Sequence, residues 1–365
     1  MNSPFHVRAT RRLLVAAALA GPLALSAQTA PPELDWRQAN EAVGTLKRGH
    51  ADVLKWEQAN PSAEPAQPAA TGWALPTPEH AVRQAWRLHR DLASPLARLG
   101  NQNGQWIASG RWTELDPGLQ RRIDDMDELL EVAAEARKAW FQAVAAQQIL
   151  KHQRDLLDAA QAASELGQRM VSVGNWSRLQ QSRVQLATSA ARMDHRRAQY
   201  AAVQAQAKLL TLLGLSGEHD AVALPDRLPD PPAQALEASD LRQRAAAVQA
   251  QLPAAERMRN RALTSVALGA YQASHALAQA SRDDVLKERT FITEETVLHY
   301  NGMLKSVWDL LDEVRNQAQA TIDAIGAQRD FWIADTDLQW VLQGGSPDSF
   351  VSLGGGAEAP AAAAH

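Results

Sequence analysis

The chain states one long motif twice. Residues Ala139–Gly214 open on Ala139-Trp140, reach a turn at Gly174-Asn175-Trp176-Ser177 and close on Leu212-Leu213-Gly214. Residues Ala270–Gly344 open on Ala270-Tyr271, turn at Asn301-Gly302-Met303-Leu304-Lys305-Ser306 and close on Val341-Leu342-Gln343-Gly344. Matched positions are offset by 131 at the opening, 129 at the serines and 130 at the last glycines, a drift that points to duplication. Each copy reads as a helix, a tight turn and a returning helix. A chain that makes a long αα-hairpin twice has few folds open to it.

The helical reading rests on residue type and period. Leu119 to Val171 holds no proline, and its one glycine, Gly167, lies near the end. Ala, Leu, Gln, Glu and Arg fill the stretch, and Leu129, Leu130, Val132 and Ala133 recur at helical spacing. About 50 helical residues would extend roughly 75 Å. Ser177 is the expected N-cap of the return helix, with Gly214 as its stop. Lys305-Ser306 and Gly344-Gly345-Pro347 punctuate the second copy in the same way. Helices of this length do not bury themselves in a compact globule and belong to a coiled-coil rod or a tubular assembly. The expected class is all-α: two long antiparallel coiled-coil hairpins.

The first 27 residues read as a signal peptide. Arg8, Arg11 and Arg12 precede the apolar run Leu13–Ala20, and Ser26-Ala27 offers a cleavage site. The arginine pair suits general secretion better than the twin-arginine route, and no later segment offers about 20 uninterrupted apolar residues. Without those three arginines the net charge of −4 becomes −7. With no basic stripe, nucleic acid is not an expected partner. The absence of cysteine excludes disulfides, thiolate metal sites, a cysteine nucleophile and a lipidated anchor cysteine.

Punctuation divides the rest. Residues 28–76 read as an N-terminal helical segment with Trp36, His50 and Trp56, followed by a Pro/Ala-rich linker. The first repeat spans 77–214, opening with Thr77 as cap and Pro78 in the first turn. Gly100–Gly110 reads as a loop. The segment 215–236 is a linker with Pro225, Pro229, Pro231 and Pro232. The second repeat spans 237–344, divided or kinked at Pro253, and 345–365 reads as a disordered Gly/Ala-rich tail.

From about Pro76 to Gly344 the chain resembles the TolC-type outer-membrane efflux protein family. Three stretches carry the resemblance: Gly174 to Arg183; Leu224 to Gln251, with Leu224-Pro225-Asp226-Arg227-Leu228-Pro229 and Asp240-Leu241-Arg242; and Tyr300 to Arg315, with Tyr300-Asn301-Gly302 and Ser306-Val307-Trp308-Asp309-Leu310-Leu311. The resemblance implies a homotrimer in which each subunit gives two hairpins to a twelve-helix periplasmic tunnel and four strands to a shared outer-membrane barrel. It also implies work with an inner-membrane pump and a periplasmic adaptor. The tips Gly174, Asn175, Trp176, Ser177, Asn301, Gly302, Met303 and Leu304 would then dock the adaptor. Asp309 and Asp312, sharing a helix face, would ring the closed aperture. The 129-residue offset places Gln180 and Arg183 opposite them; an Arg183–Asp312 ion pair that holds the tips shut and a solvated helical face with no gating role are equally open readings.

One departure is large. A spanning strand needs about 9–11 residues of alternating character. The first strand slot, Ala93–Leu119, offers at best Gln105–Ser109, and the second is reduced to Arg261–Gly269 beside the β-prone but helically patterned Thr290–Thr293. The expectation is a TolC-like subunit with little or no barrel and uncertain outer-membrane association.

No catalytic arrangement or phosphate loop stands out, so no enzyme, cofactor or resident metal is expected. His299 with Met303, and Met193 near His195, suggest a soft copper site, but packing of Met in the seam and solvation of His is the plainer reading. Trp308, Trp332 and Trp340 likewise read as seam fillers. Two functions fit: a helical tunnel subunit of an envelope export complex, or a periplasmic interaction or metal-handling protein that kept the scaffold and lost transport. An adaptor fits worse, because adaptors carry a single hairpin between β-rich halves.

Overall fold

The computed structural model describes residues 72–119, 122–217 and 221–353. The expected signal peptide, the segment with Trp36, His50 and Trp56 that the sequence reads as helical, and residues 354–365 lie outside the described residues. Strand β1 (Trp73–Ala74) leads into α1 (Pro78–Leu88), α2 (Ala93–Leu99) and α3 (Asn101–Ser109). The first hairpin is α4 (Met126–Ser172) and α5 (Arg178–Leu212). After β2 (Val222–Ala223) and α6 (Ala238–Gln249) comes the second hairpin. It rises through α7 (Ala254–Ala280), a π-helical turn (Ser281–Leu286) and α8 (Lys287–Asn301), and returns as α9 (Val307–Val341). The fold is all-α and TolC-like, with no barrel among the described residues; their one sheet is the parallel pairing of β1 with β2, Trp73 opposite Val222.

Four long helices lie in one layer. α4 packs along α5 and α9, and α9 packs along α4, α7 and α8, so the order is α5, α4, α9, α7–α8. The cores sit at the base. Leu129, Leu130, Trp140, Phe141 and Val144 of α4 bury against Val82 and Trp86 of α1, while Leu268 and Tyr271 of α7 bury against Phe331 and Leu338 of α9. Towards the tips burial thins. Beyond Ala145 the buried residues of α4 are Ala163 and Gly167, and α8 has none.

The Pro-rich linker 215–236 is strapped to this base. A proline lacks an N–H, so carbonyls along such a run stay free to accept. Pro229 accepts from Trp332 Nε1 at 2.8 Å and Gln328 Nε2 at 2.7 Å, His275 Nε2 lies 2.8 Å from the Pro232 carbonyl, and Tyr271 accepts from Leu236 N–H.

Several readings need correction. Gly100–Gly110 is helix α3, not a loop, and Gln105–Ser109 is part of it rather than a strand. Ile107 and Ala108 are fully buried there, so tertiary packing decided the matter, and the two glycines flank the helix. Gly110 has φ +83°, and the Arg137 guanidinium occupies the space its Cβ would need. α4 begins at Met126 instead of Leu119, after a turn in which Asp116 accepts from the Gly118 N–H. The tail is shorter than 345–365, because Gly345 and Pro347 are buried and Phe350 packs on the second core. Pro253 divides α6 from α7 as expected from its missing N–H.

The return helices α5 and α9 are both 35 residues long. The rising helices differ: Ala254–Asn301 is one residue longer than the 47 of α4, and the π turn lies within it. A π turn is how a helix absorbs one extra residue while its later turns keep their facing. Deletion of Asp284 is therefore expected to leave the thermal midpoint unchanged or raised. Deletion of Lys151 from α4, which turns half a helix out of register, should lower it by more than about 5 °C. Circular dichroism melts compare the two, and an equal loss in both would refute the inserted-residue account.

Candidate functional site

The two tips are built alike. In the first, α4 ends with Asn175 N–H donating to Met170 O at 2.9 Å, and Gly174 takes φ +77°. Ser177 then caps α5: Gln180 N–H donates to Ser177 Oγ at 3.3 Å and Ser177 N–H to Gln180 Oε1 at 2.9 Å. In the second, Leu304 N–H donates to His299 O at 2.8 Å, and Ser306 exchanges the same pair of bonds with Asp309, at 3.2 and 2.9 Å. Reciprocal caps of this kind satisfy otherwise orphaned backbone donors.

The left-handed residue of the second tip is not its glycine. Gly302 has φ −80°, and Met303 takes φ +60°. An offset of 129 carries Gly174 onto Met303, so the repeat register, rather than residue identity, locates the turn. The Met303 side chain is 94% exposed and Leu304 is 75% exposed. A methionine held left-handed and fully solvated gains nothing from packing. With Val173, the tips thus present apolar side chains to solvent.

Asp309 is spent on its cap. Hydrogen bonding from the Ser306 hydroxyl and backbone N–H, with Lys305 nearby, holds its carboxyl below the ordinary range despite a small opposing effect of burial. Asp312 lies apart from that cap and, with Arg183, Gln180 and Arg315, lines a cavity of about 730 Å³. Arg183 and Asp312 share that cavity without an ion pair between them. The electrostatic tie is absent because α5 and α9 scarcely touch there; they flank a floor of Ala159, Ala160 and Ala163 from α4.

A different contact joins the tips. Trp176 and Trp308 lie with ring centroids 3.9 Å apart, tilted by 36°. Gly167, buried on α4, leaves room for Trp176, whose ring lies 3.1 Å from where a Cβ would stand. Trp308 is thus a tip-to-tip contact rather than only a seam filler. Trp332 stacks on Phe141 at 5.3 Å and Trp340 is buried at the base. Sequence reasoning missed the pair because the two tryptophans do not align: Lys305 stands opposite Trp176 in the repeat.

His299 contributes its carbonyl to the tip, and Met303 points to solvent, so the two do not converge. At the far end of α4, one group unremarked in the sequence, His89, Asp91 and Glu128, brings its ligand-type atoms within 4.8 Å of one another, with both carboxylates exposed.

Among known proteins, no family model matches the chain, and no curated protein matches it. Solved structures do. CusC, whose crystal structures concern conformational changes accompanying folding and transmembrane channel formation, is 12% identical over 73% of this chain and 96% of that one, with a TM-score of 0.50. A membrane protein from Pseudomonas aeruginosa is 14% identical over 66% of this chain and 74% of its own (TM-score 0.46). The CmeC outer membrane channel of Campylobacter jejuni is 11% identical over 72% and 68% (TM-score 0.43). The likeness to CusC shows a shared fold.

Stacked aromatic pairs contribute about 0.5–1.5 kcal/mol beyond their buried area. A double-mutant cycle of Trp176→Ala and Trp308→Ala, followed by urea unfolding, is expected to give a coupling of about 1 kcal/mol. Additive losses would show that the contact does not hold the tips.

Proposed function

We propose that this chain is a non-enzymatic subunit of an envelope efflux complex, forming part of a periplasmic helical tunnel as a homotrimer. One observation carries the reading: the four-helix layer is open at both edges, and the edges complement each other. On α5, Leu179, Leu186, Met193 and Tyr200 recur every seven residues, and all are exposed. On the opposite edge Leu277, Phe291 and Leu298 keep the same spacing, with Asp284 at the intervening position, and are exposed too. Seven-residue apolar spacing is the signature of a helix that seats against another.

Charge agrees. α5 carries Arg178, Arg183, Arg192, Arg196, Arg197 and Lys208 against Asp194 alone. The π turn and α8 carry Asp283, Asp284, Glu288, Glu294 and Glu295 against Arg282, Lys287 and Arg289. Two different edges that fit each other join copies head to tail, an arrangement that makes a ring where the rotation between copies closes. Three copies supply the twelve helices that the family resemblance implies. The exposed apolar tips, around Val173, Met303 and Leu304, are the surface for a periplasmic adaptor that couples to an inner-membrane pump.

The ordinary outer-membrane role is not part of this reading. Both strand slots are helical: α2 and α3 fill the first and α7 runs through the second. Among the described residues no helix is long and apolar enough to cross a membrane. The tunnel would act in the periplasm or on another channel. The same observation favours a second reading, a periplasmic interaction or metal-handling protein that kept the scaffold without transport.

Sedimentation of the mature chain is expected to show a trimer at micromolar concentration. Leu186→Glu with Tyr200→Glu should give monomers of unchanged helicity. A well-folded wild-type monomer would sink the tunnel reading, and trimers found free in the periplasm, with no pump or adaptor co-purifying, would favour the second.

A further inference from the structure

We propose that Asp335 and Asp337 make the base of the molecule a proton-operated clamp: with both carboxyls neutral α9 seats tightly on α4, and ionising them loosens that seat. The inference concerns the α4–α9 contact within one chain and does not depend on the assembly proposed above.

Both aspartates lie on α9 where it crosses α4, with Asp335 6% and Asp337 1% exposed. Lys138 Nζ of α4 is 3.2 Å from Asp337 Oδ1, and among the described residues this is the one ion pair that joins the two repeats. That ammonium is shared with Glu135 at 2.6 Å, and among the described residues neither Asp337 oxygen accepts a hydrogen bond. Asp335 accepts from Gln339 Nε2 at 3.3 Å, and its countercharge is Arg137, whose Nη1 donates to the Ala108 carbonyl at 3.0 Å. Gln339 and Gln343 hold both sides of the Trp112 peptide: Trp112 N–H donates to Gln339 at 2.8 Å and Gln343 Nε2 to Trp112 O at 2.7 Å. The carboxyls therefore sit where both repeats and the α3 region meet.

The charged and titratable groups facing them come from every packed element. α4 supplies Glu135, Arg137 and Lys138; α1 supplies Glu79, which acts on Arg137; α7 supplies Tyr271, which feels Asp335. His275 of α7 is turned to the Pro232 carbonyl. A buried ion pair seldom recovers the full cost of desolvating its charges, least of all when one cation serves two anions.

Burial pushes Asp335 from 3.8 to about 6, with Arg137 and Gln339 opposing the rise. Burial pushes Asp337 to about 6 as well, with Lys138 opposing and Glu135 adding to it. A carboxyl raised in this way binds its proton more tightly when buried than when exposed. Its support for the seated state is complete below 3.8 and is lost as pH rises through about 6.

Native-state hydrogen exchange on the full chain tests this, with rates corrected for the intrinsic effect of pH. Peptides covering the bases of α4 and α9 should be more protected at acidic than at slightly alkaline pH, by up to roughly a hundredfold per carboxyl, with a midpoint near 6. Asp335→Asn with Asp337→Asn, which mimics the neutral forms, should fold and keep the acidic protection at every pH. His275→Gln should leave the dependence in place. Protection that is equal or weaker at acidic pH, or a dependence that survives in the double Asn variant, would overturn the clamp. As a second readout, the infrared band of a neutral carboxyl should titrate near pH 6 in the wild type and shrink in each single variant; a wild type without that band would also overturn it. A chain that stays monomeric throughout would defeat the tunnel reading and leave this one intact.

Discussion

Everything in the molecule depends on the seat of α9 against α4. These inner helices, one from each repeat, are the only long helices among the described residues with a long-helix neighbour on both sides. Their bases carry the large buried aromatics Trp140, Phe141 and Phe331. Burying such rings is worth several kcal/mol each relative to leaving them exposed, which anchors helices whose far ends bury little. The hydrogen bonds at the seat, Gln339 and Gln343 on the Trp112 peptide and Arg137 on the Ala108 carbonyl, set register and orientation. Apolar contacts alone would allow α9 to slide by a turn; out of register these buried polar groups would lose their partners.

From that anchored base two hairpins project with decreasing support. An amphipathic helix is stable when its apolar stripe meets a neighbour. α4 and α9 meet this condition over much of their length. α5 and α7–α8 meet it on one side, and α8 buries no residue at all. The tips compensate locally with reciprocal Ser–Gln and Ser–Asp caps and the Trp176–Trp308 contact. The cavity behind that contact has the same geometric origin, since α5 and α9 are held apart by α4 between them.

Duplication explains both the likenesses and the departures. The return helices match in length and cap, and the same offset predicts the left-handed position in both tips. The copies diverge where each met a different neighbour. α1 to α3 cover only the base of the first repeat, while the Pro-rich linker crosses the second and uses its free carbonyls as acceptors. The π turn sits in the second rising helix, where burial is slight and an extra residue disturbs little.

The sequence by itself determined the long-range plan: helix formers without proline, a seven-residue apolar rhythm, serine caps and a 129-residue repeat leave a chain little choice but two long hairpins. The caps and rhythm act over a turn or two of backbone and the repeat is a match of residues along the chain, so all are legible without a fold. Tertiary structure decided the rest. Ile107 and Ala108 are helical because α1 and α4 bury them, though the glycines around them suggested a loop. Arg183 and Asp312 do not pair because α4 separates their helices, whereas Trp176 and Trp308 meet although the repeat does not align them. Asp335 and Asp337 look like ordinary surface acids in the sequence and are buried because neighbouring elements enclose the base of α9 on every side, from Ala334 to Gln343. Local rules specify what each helix is; which face it buries, and what charge it must bury with it, is set by the helices packed beside it.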